Sequence, residues 1–174
     1  MRFEPIFGDL KESLATIRTG RASASLVEDL EVEVYETKMR LKELAAIAIP
    51  EARQILVTPW DKTVLGVIEK TLQAAGFNPV VEGDLLRLNL PSLTGEDRER
   101  LMGEVGERAE EAKIKVRGVR RKATEEIERL EKEKQLSEDE AFAQKKEIDE
   151  EVKEANNKIA ELAEEKKRQL ALDS

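Results

Sequence analysis

The chain has 174 residues, room for one domain or two small ones, and combines 39% charged residues with only 3% aromatics. That balance excludes a large core built from rings and favours helices with aliphatic seams and charged outer faces. Cysteine and histidine are both absent, which removes disulfides, thiolate chemistry, the usual general base and the commonest metal ligand; the net charge is -8.

No stretch approaches the roughly 20 apolar residues of a membrane helix, and Met1-Arg-Phe-Glu-Pro lacks the charged-then-apolar layout of a signal peptide. These features predict a cytoplasmic monomer without membrane contact. From Phe3 to about Ser25 the apolar residues Phe3, Phe7, Leu10, Leu14 and Ile17 recur in steps of four and three, which predicts a helix with one buried seam. At Leu30 the period becomes two: Leu30, Val32 and Val34 alternate with Glu31, Glu33 and Tyr35, as in a half-buried strand. Further strands are predicted at Ala45 to Ile49, Gln54 to Thr58, Pro79 to Glu82 and Leu85 to Leu90, with Gly83-Asp84 as a tight turn. Between them Val64, Leu65, Ile68 and Leu72 predict a helix from Lys62 to Ala75, capped by Asp61 and stopped at Gly76.

Helical spacing then returns. Thr94 with Asp97 forms a capping box, opening a seam through Leu101, Val105, Ala109, Ala112, Val116, Val119, Ala123, Ile127 and Leu130. Ser137 with Glu140 forms a second box, opening a seam through Ala141, Ile148, Val152, Ala155, Ile159 and Leu162. Neither long helix can bury its seam alone, and the first helix has no other partner. The predicted fold is α+β: an elongated three-helix bundle from residues 1–29 and 92–174, with a small β/α/β domain, residues 30–91, inserted between helices 1 and 2. Two strands crossing at Glu28-Asp29 and Ser92-Leu93 are the predicted hinge.

The densest chemistry lies in Lys113-Ile-Lys-Val-Arg-Gly-Val-Arg-Arg-Lys122, which holds six positive charges and no negative one; the rest of the chain stands at 24 basic against 38 acidic residues. On an ideal helix with Ala112, Val116, Val119 and Ala123 facing inward, Arg120, Lys113, Arg117 and Arg121 fall in one arc of roughly 100°, with Lys115 and Lys122 on the other side. A solvated helix face accounts for many charge runs, but here the interleaving acids are missing and cations three and four apart repel. Arginine at three of the six positions suits forked contacts to phosphate. Arg18-Thr-Gly-Arg21 adds a smaller basic feature. Cations at a helix end account for it in part, and in a bundle it lies about 25–35 Å from Arg121. The spacing describes a stripe for nucleic acid, not a nucleotide pocket.

Pro59-Trp60-Asp61-Lys62 reads as a strand-to-helix turn. No paired carboxylates, Gly-rich phosphate loop, metal-spaced cluster or nucleophile constellation stands out, so no catalytic residue, cofactor or metal is expected. Gly103, Gly106 and Gly118 each cost the second helix roughly 1 kcal/mol against alanine. From the residues alone, an RNA-binding protein competes with a non-catalytic helical adaptor or chaperone-like protein whose charges only solvate it. Steep loss of RNA binding with salt separates the two.

Ile17-Arg18-Thr-Gly-Arg21-Ala-Ser23, Pro59-Trp60-Asp61-Lys62, Asn78-Pro79, Arg87-Leu-Asn-Leu-Pro-Ser-Leu-Thr94, Val116-Arg-Gly-Val-Arg-Arg-Lys-Ala123 and Leu136-Ser-Glu-Asp-Glu140 occur in this order along nearly the whole chain. Together they resemble the ribosome recycling factor family. The resemblance implies the same three-helix bundle and insert, binding to the post-termination ribosome on large-subunit ribosomal RNA, and subunit splitting with elongation factor G, which hydrolyses the GTP. It implies RNA contact by Arg18 and Arg21 and by Arg117, Arg120 and Arg121; Lys113 joins them from the helical arc. The chain departs from the family at Tyr35-Glu36, where Tyr-Gly is usual, at Arg40, where proline commonly precedes Leu41, at Gly118, usually Asn, and at Lys122, usually Asp. The Leu72-to-Asn78 connection is about two residues short, and the first helix begins late.

Overall fold

The computed structural model describes residues 2–172. In chain order its elements are α1 (Glu4–Ala15), β1 (Glu31–Val34), β2 (Thr37–Arg40), α2 (Leu41–Leu44), β3 (Ala45–Glu51), β4 (Gln54–Pro59), α3 (Leu65–Ala74), β5 (Pro79–Glu82), β6 (Leu85–Asn89), α4 (Gly95–Lys132) and α5 (Glu138–Leu172). The chain forms two compact units, one from the residues up to Arg18 and from Thr94 to Leu172, the other from Thr19 to Leu93.

The first unit is a three-helix bundle. α4 and α5 hold 38 and 35 residues, each more than 50 Å long at about 1.5 Å per residue. Both predicted capping boxes form. Thr94 Oγ1 accepts from the Asp97 N–H at 3.0 Å while the Asp97 carboxylate accepts from the Thr94 N–H. Ser137 and Glu140 repeat the exchange at 3.1 and 2.8 Å. Leu101, Val105, Ala109, Ala112, Val116 and Ile127 of α4 are buried, as are Ala141, Ile148, Ala155, Ile159, Ala163 and Leu170 of α5. Arg120 meets Asp149 and Lys145 meets Glu128, so the two long helices run antiparallel. α1 is antiparallel to α4: Asp9 meets Lys115, and further along the Arg108 guanidinium donates to the Ser13 carbonyl and to Thr16 Oγ1.

α1 stops at Ala15, well short of the Ser25 that the spacing predicts. The Thr16 hydroxyl turns back to the Ser13 carbonyl at 2.7 Å, and Gly20 adopts φ +78, a left-handed conformation that ends helical propagation. The apolar pattern overran the helix because Ile17 is still buried, although it lies beyond the last turn.

Past α4 the chain turns through Lys134, at φ +58. The Gln135 N–H returns to the Leu130 carbonyl at 2.9 Å and the Lys134 N–H to Glu131 at 3.0 Å, the paired closure of a Schellman motif with lysine in the position glycine usually takes.

The second unit opens with a short 3-10 turn, Ala24–Leu26, followed by a β1–β2 hairpin whose Tyr35-Glu36 turn puts both residues at positive φ, +51 and +62. β3, β4, β6 and β5 form a four-stranded antiparallel sheet in that order. Asp61 caps the turn leading to α3 by accepting from the Thr63 N–H at 2.9 Å, and Gly76 stops α3 at φ +91. Gly83-Asp84 closes β5 on β6, as the spacing predicts. Val27, Val32, Leu41, Ile55, Val57, Ile68, Leu72, Leu86 and Leu88 make the core. Two elements, β2 and α2, have no counterpart among the predicted ones.

The first division between the units falls at Arg18–Thr19, not at Asp29–Leu30, whereas the second, at Leu93–Thr94, lies beside the predicted Ser92-Leu93 crossing. Glu28 and Asp29 are held inside the inserted unit. Val27 is fully buried in its core, the Glu28 carbonyl accepts from the Lys42 N–H at 3.0 Å, and Asp29 pairs with Arg40 and Lys42.

Candidate nucleic-acid interface

The basic run lies midway along α4, where the helix packs against α1 on one side and α5 on the other. Lys115 reaches Asp9 of α1 at 3.4 Å and Arg120 reaches Asp149 of α5 at 2.8 Å. These pairs mark the two edges of α4's outward surface. Between them lie Lys113, Arg117, Ile114, Arg121, Gly118 and Lys122, placed there by the 3.6-residue turn while Ala112 and Val116 point inward.

No acid interleaves the run itself, but helix packing brings Asp9 and Asp149 to it, and the neighbouring turns of α4 supply Glu110 and Glu125. Besides the two interhelix pairs, Arg117 reaches Glu110 at 3.1 Å and Arg121 reaches Glu125 at 3.9 Å. All are exposed, the Arg117 and Arg121 side chains most, at 67% and 74% accessible. Exposed pairs of this kind hold their members weakly, at about 0–1 kcal/mol, so the arginines can exchange carboxylates for phosphate at small cost. Among the described residues Lys113 and Lys122 have no ion-pair partner within 4 Å.

Arg18 is exposed just beyond α1, in the same unit as the α4 run. The Asp9–Lys115 and Thr16–Arg108 pairings put it about 25 Å from Arg121 along the bundle. Arg21 is exposed in the inserted unit, after the Gly20 turn. The bundle thus gathers Lys113, Arg117, Arg120 and Arg121 on α4 and carries Arg18 well away from them, while Arg21 belongs to the other body.

Sequence reasoning missed Arg108, which ties α1 to α4 through Ser13 and Thr16, and the Ile114 side chain, 55% exposed among cations. Helical geometry alone could have found Ile114. Trp60 is exposed in the other unit, next to an Asp61 carboxylate that accepts from Thr63 and Tyr35 and titrates below the usual carboxylate range for that reason. Among the described residues no cluster of acidic, histidine or cysteine side chains could hold a metal, and no helix is long and apolar enough to cross a membrane.

A three-helix bundle that carries a smaller unit of sheet and helix between its first two helices, with arginines on an outer helix face, defines a class of two-unit factor. The family model for ribosome recycling factor matches residues 10–170. The chain belongs to the ribosome recycling factor family. A ribosome-recycling factor of Listeria welshimeri is 48% identical over 132 residues, covering 75% of this chain and 71% of the relative. One of Latilactobacillus sakei is 42% identical over 163 residues, covering 92% and 88%. A solution structure of the ribosome recycling factor aligns with a TM-score of 0.71 at 34% identity, over 98% of this chain and 91% of that one. A second structure, presenting models for the T. thermophilus ribosome recycling factor and the E. coli elongation factor G bound to the E. coli post-termination complex, aligns with a TM-score of 0.57 at 36% identity, over 97% and 92%.

Proposed function

We propose that this chain binds the post-termination ribosome in the cytoplasm and, with elongation factor G and GTP, splits it into subunits and releases it from messenger RNA. The observation that carries the reading is the alignment, over nearly the full chain, with a recycling factor presented together with elongation factor G on a post-termination complex. The bundle is the part that grips. Arg117, Arg120 and Arg121 fork onto phosphates of large-subunit ribosomal RNA, Lys113 adds a point charge beside them, and Arg18 and Arg21 hold a second stretch of backbone. Their present carboxylate partners are exposed and are given up at small cost.

In this reading the chain is no enzyme. Elongation factor G hydrolyses the GTP, and this chain acts as a rigid arm that the partner pushes. The two places where the chain passes between units, at Arg18–Thr19 and Leu93–Thr94, are the hinge. In this reading Ser92 and Leu93 belong to the hinge, and Glu28 and Asp29 travel with the insert.

A subunit-splitting assay tests the reading. The chain with elongation factor G and GTP should convert post-termination ribosomes to free subunits, and omitting any one component should prevent it. Splitting or GTP hydrolysis by the purified chain alone would refute it.

A further inference from the structure

The outward surface of α4 is not uniformly charged. Taking roughly 100° per residue, Arg120, Lys113, Arg117 and Arg121 occupy one flank, and Lys122 and Lys115 the other. Between the flanks runs an uncharged strip, Ile114 followed one turn later by Gly118. The Ile114 side chain is 55% exposed, and nothing lies within 4 Å of where a Gly118 Cβ would stand. Neither residue serves the bundle's own packing, and together they leave an apolar contact and bare backbone between two rows of cations about one helix diameter, ~10–12 Å, apart. Acids bound the strip at both ends, Glu107, Glu110 and Glu111 before it and Glu125 and Glu128 after. The cationic segment is therefore about 15 Å long.

We infer that this strip seats on the minor groove of double-helical RNA. The inference rests on the RNA-binding reading above and specifies which form of RNA the site takes. Charge complementarity selects the form. A single strand offers one line of phosphates, whereas a duplex offers two with a groove between, matching two cationic flanks with an uncharged floor. In A-form RNA that groove is wide and shallow and lined by 2′-hydroxyls and sugar edges. The low profile of Gly118 lets helix backbone come close to those edges, and Ile114 packs on the ribose faces. In B-form DNA the minor groove is too narrow and deep for the helix, and the major groove, which admits one, is floored by base edges and lacks the 2′-hydroxyls and sugar edges that the strip contacts. The terminal acids repel phosphate and confine the footprint to a short duplex segment.

The test uses the full chain, titrated at low salt with a fluorescent RNA duplex of about 16 base pairs, a DNA duplex of the same sequence and the two single RNA strands. The RNA duplex should bind at least about tenfold more tightly than the other probes, the scale of one well-made contact. Gly118→Leu and Ile114→Ser should each erase that preference while binding to single strands stays the same. Gly103→Leu, on the same outward face but outside the cations, should change nothing, and Arg117→Gln should weaken all probes alike. Both strip positions are open, so helicity by circular dichroism should stay at the parent level. Equal affinity for all probes, or a preference that survives Gly118→Leu and Ile114→Ser, overturns the duplex inference but leaves RNA binding standing. Failure to bind every probe and ribosomal particles as well overturns the functional reading itself.

Discussion

At Tyr35, Glu36 and Lys134 an L-residue holds the left-handed conformation that glycine takes without steric cost. Tyr35 and Glu36 do so because their two-residue link is of the type I′ kind, which has positive φ at both positions and matches the twist of the strands; Lys134 must because the closure of α4 demands it. Each costs roughly 1–2 kcal/mol relative to glycine. Glu36→Gly and Lys134→Gly should therefore each raise unfolding free energy by about 1 kcal/mol in chemical denaturation, with no change in binding. The first site was legible, since glycine is usual there in the family the chain resembles. Lys134 carries no such signal, because nothing in its side chain marks a helix end. Arg120 behaves differently. Its pair with Asp149 is half exposed and worth less than about 1 kcal/mol, so Arg120→Ala should leave the melting temperature nearly unchanged. Binding to the large subunit should weaken by roughly 1–3 kcal/mol, the cost of a charge-assisted contact, as read by sedimentation or fluorescence titration.

At the scale of elements, α4 tolerates three interior glycines whose absent side chains would meet nothing within 4 Å. Gly103→Ala and Gly106→Ala should each stabilise the helix by about 1 kcal/mol in thermal melts followed by circular dichroism. The caps add a dependence on pH. Asp97 and Glu140 titrate below their ordinary values because they accept hydrogen bonds from Thr94 and Ser137. A depressed folded-state pKa stabilises at pH above the unfolded value and loses that contribution as pH falls through the folded one. Melting temperature should hold above about pH 5 and drop as acid protonates the caps below about pH 4, and Asp97→Asn should reduce the drop. The long helices and the strands β1, β4 and β6 were legible because each has a buried face that imposes a period, whereas β5, with no buried residue, was marked by the Gly83-Asp84 turn that joins it to β6. β2, Thr37-Lys-Met-Arg, has no fully buried residue and so shows no alternation, and the four residues of α2 span little more than one turn. The same logic explains the overrun of the first helix, since burial of Ile17 continued the pattern where the backbone had already left the helix.

For the molecule as a whole, the family and the two-unit architecture could be read from the chain, but the electrostatic setting of the charged face could not. Asp9 and Asp149 are far from the basic run in sequence and reach it only through helix packing. A further consequence follows from α1, which has 12 residues against 38 and 35 in its partners. Arg2, just before α1, meets Glu151 of α5, and at the other end of α1 Leu14 and Ala15 line a shallow groove with Leu162 and Gln169 of α5. Beyond them the α4–α5 hairpin closes on a small cluster, Ile127, Ala141 and Ile148, with Ala123, Leu136 and Val152 beside it. Two helices sharing so few apolar side chains should open as a cooperative unit well before global unfolding. Native-state hydrogen exchange should show backbone amides of residues 127–148 swapping for deuterium faster than those of 101–116 and 155–170, by at least about tenfold. Uniform protection along both helices would contradict this. The tip of the hairpin would then be the part of the bundle that can yield locally while the arginine face, one stretch further in, stays folded around its three-helix section.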